Sequence, residues 1–129
     1  MTEIKELIEK YKIDKNTQVM NYSHQYFKLH SKFYTTIRKS KKKHKKGNVV
    51  IASFRNIRLH VAKINYIQEV KLAQIHTGFL LLDCLYPNSK IITRYDCYAL
   101  FQSFYEDPID FQNQKFYLFL MERLRCEKN

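Results

Sequence analysis

Tryptophan is absent from the 129 residues, and glycine and proline occur only twice each. With glycine at positions 47 and 78 alone, no glycine-rich phosphate loop or dinucleotide fingerprint can form. So few breakers leave little punctuation for short strands, and the expectation is a few long helices. The longest apolar runs, GFLLL at 78–82 and FYLFLM at 116–121, fall far short of a bilayer span, so no membrane contact is expected. The charged start MTEIKELIEK carries no apolar leader segment. Cys84, Cys97 and Cys126 are isolated and form no CxxC pair. They read as reduced thiols in a nuclear protein, or a cytoplasmic one if the source is bacterial or viral. The five histidines make no i,i+4 pair and have no cysteine at ligand spacing, so no metal and no cofactor is expected.

Acid is missing where it matters most. Residues 15–68 carry thirteen Lys or Arg and no Asp or Glu, while residues 69–129 balance seven bases against eight acids. The whole net charge of +11 therefore sits in one segment, and its natural partner is a polyanion. The densest part is 38–47, where Arg38, Lys39, Lys41, Lys42, Lys43, Lys45 and Lys46 make seven of ten residues cationic. Charges packed this closely repel, so the run is expected to be an exposed loop that a polyanion neutralises, with binding that weakens steeply as salt rises. Tyr22, Tyr26 and Phe27 interleave with Lys28, His30 and Lys32 upstream, as a surface for single-stranded nucleic acid requires, with rings for bases and cations for phosphates.

Periodicity supplies the elements. Thr2 with Glu3 and Glu6 opens a helix over about 3–12 with Ile4, Leu7, Ile8 and Tyr11 on one face. Residues 14–17 are a turn, and 18–39 hold one or two aromatic-rich helices. From 49 to 86 the apolar residues Phe54, Ile57, Val61, Ile64, Leu72, Ile75, Phe79, Leu82 and Tyr86 step by three and four, which predicts one long central helix. Thr93 caps a further helix to about Tyr105, and Asp107–Pro108 starts a last one. In that last helix Phe116, Tyr117, Phe119 and Leu120 would meet a protein partner or a second copy. One alternative stands beside the central helix. The β-branched run Val49–Ile51 and the alternation of Ile57, Leu59 and Val61 fit a β-hairpin over 34–61 with the lysine run as its loop.

The segment Val50-Ile51-Ala52-Ser53-Phe54-Arg55-Asn56-Ile57-Arg58 resembles the recognition helix of homeodomains, Val-x-x-Trp-Phe-x-Asn-x-Arg, at Val50, Phe54, Asn56 and Arg58. Ser53 and Ile57 depart from it. The resemblance implies a helix-turn-helix module in which Asn56 reads adenine in the major groove and Arg58 grips phosphate. It also implies an accessory subunit, of the type found as homeobox-like subunits in ciliate adenine-N6 DNA methyltransferase complexes.

Catalytic groupings are lacking. Asp107 and Asp110 suit helix caps, and His76 and Cys84 would stand roughly 12 Å apart along a helix axis. The expectation is therefore a single mainly α domain, a small helical bundle that is not an enzyme. Its basic half, 15–68, would bind duplex DNA through Arg38, Lys39, Lys41, Lys42, Lys43, Lys45, Lys46, Arg55, Asn56, Arg58 and Lys63. Its neutral half, 69–129, would supply the core and a docking face. A helical protein-interaction module and a single-stranded RNA-binding protein are the alternatives.

Overall fold

A computed structural model describes residues 2–41 and 43–126. The chain runs α1 (Thr2–Tyr11), β1 (Val19–Asn21), β2 (Phe33–Arg38), β3 (Val49–Phe54), β4 (Ile57–Lys71), α2 (Thr77–Cys84), α3 (Arg94–Gln102) and β5 (Lys115–Arg123), with short 3-10 turns at Phe27–His30 and Leu72–Gln74. The expected mainly α bundle is thus corrected to α+β: a five-stranded mixed sheet in the order β1-β3-β4-β5-β2. β1 pairs parallel to β3, and every other pair is antiparallel.

The predicted central helix is instead β3, a two-residue turn and β4. Two features hid the strands. Both faces of this part of the sheet are covered, so the period-two signal is lost: Val49, Ile51 and Val61 pack under α1 against Leu7, Ile8 and Ile13, while Val50, Ala52, Ala62 and Ile64 face the opposite core. Register shifts at Ala52/Ser53 and Ile64/Tyr66 then slip the alternation by one, which mimics steps of three and four. The homeodomain-like residues Val50–Arg58 lie in this hairpin, so no recognition helix exists there. The turn itself is Arg55–Asn56, with φ of +49° and +64°. Left-handed values at both central residues give the backbone twist that matches flanking strands, a role that sequence reading expects of Asn-Gly.

Lys12 and Asn88 also take positive φ, so turns are made without glycine and the scarcity of that residue excluded less than expected. The hairpin alternative over 34–61 has strands at nearly the right residues but the wrong partners. The lysine run joins β2 to β3, and these lie at positions separated by β4 and β5. The predicted last helix is also strand. Residues 106–114 form an irregular loop with a turn at 111–113, and β5 takes a place between β4 and β2. The basic and neutral halves of the sequence are therefore interleaved within one sheet.

Three predicted elements hold. α1 docks on the sheet through Leu7 and Ile8, and Asp14 closes the following turn by accepting the Asn16 N–H at 2.9 Å. Thr93 and Asp96 form a reciprocal capping box on α3. Those same backbone donors at Ile92 and Thr93 hold the Asp96 carboxyl below its usual pKa. α2 and α3 cover the outer face of β2 and β5 with Leu80, Cys84, Cys97 and Phe101 against Ile37 and Phe116.

Candidate functional site

The sheet curls so far that its two outermost strands approach one another without a backbone ladder. Side chains join them instead: Arg38 Nη2 donates to the Asn21 carbonyl at 2.7 Å, and the Tyr22 and Thr36 hydroxyls share a hydrogen bond at 3.0 Å. This seam between β1 and β2 opens into a cavity of about 390 Å³ that reaches to α2, α3 and the loop after α3. Unpaired strand edges are where a sheet can admit another molecule, and here the edges form the walls of a concave site.

Two cations stand in those walls, and rings hold both. The Arg38 guanidinium lies 5.2 Å from the Tyr22 ring centroid. Its Nε is buried and has no hydrogen-bond acceptor. A buried N–H of a charged group without an acceptor is costly and rare, and here it belongs to a side chain in a cavity wall. Lys28 Nζ sits 5.1 Å from the Tyr26 ring and 5.8 Å from Tyr22. It is paired at 2.9 Å with Asp83, whose side chain is 4% exposed and also accepts from the Thr35 hydroxyl at 2.8 Å. Tyr26 shares a hydrogen bond with the Ser23 hydroxyl at 2.7 Å, yet burial still pushes its phenol up to about 12. Phe104 and Tyr105 complete the aromatic lining. The site therefore offers flat apolar faces, one unused charged donor and a neutralised ion pair at its floor. A planar ligand rich in acceptors or carrying negative charge fits that set.

The lysine run borders this site. Lys39 Nζ lies 5.0 Å from the Tyr105 ring, and Lys41 Nζ lies 5.6 Å from Tyr117. His44 meets Phe119 edge-on at 6.1 Å, so the loop crosses one end of the sheet with its ring pinned to the core. Lys43, Lys45 and Lys46 are exposed, and Lys42 lies outside the described residues. On the far side, Arg55 stacks on Phe54 at 5.1 Å, Asn56 and Arg58 are exposed at the hairpin tip, and Lys63 is exposed in mid-β4. The structure thus places Arg38, Lys39 and Lys41 beside aromatic rings, and Lys63 on β4 opposite Val49, next to the far end of the lysine run.

The predicted partner face needs correcting. Phe116 and Phe119 are wholly buried, Tyr117 is half-buried against the inner core, and of the four Leu120 alone is exposed. Exposed apolar side chains gather instead at Phe27, Phe33, Phe79 and Leu82, around a groove of about 480 Å³.

Sequence reasoning missed Thr35, Thr36 and Asp83. Asp83 carried a signal: it is the one acid within the apolar stretch GFLLLDCL, where an ionisable group needs a specific partner. A second buried polar pair is structural. Tyr34 hydroxyl and His60 Nε2 are 2.7 Å apart in the interior. Burial lowers the His60 pKa to about 4 and raises that of Tyr34 well above normal, so a neutral phenol and a neutral imidazole share this hydrogen bond.

Among the described residues no group of acidic, histidine and cysteine side chains could hold a metal ion, and no helix is long and apolar enough to cross a membrane. Comparison with protein families, with curated proteins and with solved structures finds no match to this chain.

Proposed function

We propose that this protein binds single-stranded nucleic acid, seating one nucleotide in the seam cavity with the lysine run gathering the flanking phosphates. The observation that carries the reading is the buried Arg38 Nε–H without an acceptor, in a side chain that lines a cavity walled by Tyr22, Tyr26 and Tyr105. Stacking of a base on such rings contributes about 1–3 kcal/mol and tolerates any base, because each has a π-face. A guanidinium adds a directed contact to phosphate or to a base carbonyl. Lys28 and Asp83 neutralise one another, which favours binding over turnover.

A duplex does not fit as well. The concave seam is bounded by α3 and its following loop, and the groove-reading helix expected at 50–58 is a hairpin. The test is anisotropy with labelled single-stranded RNA, single-stranded DNA and duplex DNA over a salt series, for wild type and Arg38→Gln. Preference for single strands, weakened by Arg38→Gln, is expected. Equal binding of duplex and single strand with no effect of Arg38→Gln would refute it.

A further inference from the structure

A second concavity, of about 320 Å³, lies around the β1 edge from the seam. Its walls come from three separate places: Lys15 and Asn16 in the turn after α1, Asn21 at the end of β1, and Asn56 and Arg58 at the hairpin tip. Asn21 lines both cavities, so the two lie next to each other at β1. Its backbone carbonyl is the acceptor that ties Arg38 into the seam.

The basin has the opposite chemistry to the seam. It has no aromatic ring in its lining, and it has two cations and three carboxamides. Among the described residues neither Lys15 nor Arg58 makes an ion pair, and neither side chain makes a hydrogen bond. The nearby acid, Asp14, is turned into its own loop, where the Asn16 N–H and Thr17 hold its carboxyl below its usual pKa and Lys43 adds to the effect. Asn56 lines the basin from the hairpin turn, where its backbone is left-handed at φ +64°. Cations with free donors, beside amides that can both donate and accept, suit a phosphodiester and the hydroxyls next to it. Rings on one side of Asn21 and free cations on the other correspond to a base and to the phosphate of its neighbour.

We infer that the basin formed by Lys15, Asn16, Asn21, Asn56 and Arg58 is a phosphate subsite for the nucleotide adjacent to the one seated at the seam. This inference rests on the single-stranded reading above, and the experiment separates the two. Lys15→Gln/Arg58→Gln changes only exposed side chains, so the fold should survive, which circular dichroism checks. Uridine monophosphate and an oligouridylate of about eight nucleotides are the probes. The double variant should bind the monophosphate as wild type does. It should bind the oligomer about tenfold more weakly at moderate salt, with a log–log salt slope shallower by about 0.7, the value for one single-strand phosphate contact. Wild-type affinity and slope for the oligomer in the double variant would overturn the subsite and leave the seam intact. An equal loss for monophosphate and oligomer would also overturn it, since the basin would then not be separate from the seam. Failure of wild type to bind the oligomer at low salt would remove both.

Discussion

The lysine run and the seam are both cationic, and they differ in almost everything else. The run puts its charges on a loop in water, where each is screened within about 10 Å at ordinary salt. The seam has only Lys28 and Arg38, but each is held by rings and one is locked to a buried carboxylate. Charge in water supplies attraction that is long-ranged, sequence-independent and easily lost to salt. Charge fixed in a lined cavity supplies geometry, and its loss is felt in stability as well as in binding. A count of lysines finds the first kind and misses the second.

Changes to the two regions should therefore separate in kind. The largest effect is expected for Lys28→Met, which leaves Asp83 buried without its cation and should cost about 3–5 kcal/mol in denaturant unfolding. Lys28→Met/Asp83→Leu should recover most of that, because the charge and its partner leave together. Changing Lys41, Lys43, Lys45 and Lys46 to Gln should shift stability by no more than about 0.5 kcal/mol.

His60 extends the comparison to a titrating group. Its folded pKa of about 4 lies below the ordinary value of 6.5, so the unfolded chain binds the extra proton between those two pH values. Stability should fall as pH drops from 6.5 toward 4, by an amount on the order of 3 kcal/mol, and His60→Leu should flatten that slope. Thermal unfolding across this range measures it.

Arg38→Gln should weaken single-strand binding by about 2 kcal/mol, roughly thirtyfold, and the loss should persist at high salt. Arg38→Lys should not restore binding, since an ammonium cannot reproduce the guanidinium fork. The quadruple lysine variant should instead make the log–log salt slope shallower by about 0.7 per phosphate contact removed, so its affinity converges on wild type as salt rises. A small effect of opposite sign concerns the hairpin tip. Replacing Arg55–Asn56 by Asn–Gly should stabilise by about 0.5–1 kcal/mol, because those residues carry less penalty at positive φ.

Legibility in the sequence followed the same division. Local signals were readable: the α1 face, the Asp14 turn and the Thr93–Asp96 cap depend on residues within one or two turns of each other. The charge asymmetry was readable because it needs no fold. The strands were legible only as an alternative, at Val49–Ile51 and Ile57–Val61, because β3 and β4 are buried on both faces and slipped by bulges, which gives Val61 and Ile64 a helix-like spacing. Nor did the Arg55–Asn56 turn carry a glycine to announce itself. Half of the site was in view, as rings at Tyr22 and Tyr26 interleaved with Lys28, and Arg38 was named for its charge alone. Its setting was beyond reach, because it depends on Asn21, Thr36 and Asp83 being brought together by contacts up to 55 residues apart in sequence.

The most direct test of the account is the Arg38 side-chain Nε–H resonance, followed by NMR while a single-stranded oligonucleotide is added. If the seam seats a nucleotide, this proton gains its acceptor: the resonance should shift and its exchange with water should slow. Backbone amides of the lysine run should move as well, but with a response that added salt abolishes. An Arg38 resonance that stays unchanged at saturation, while only the lysine-run amides respond, would contradict the account and leave the protein a nonspecific polyanion binder.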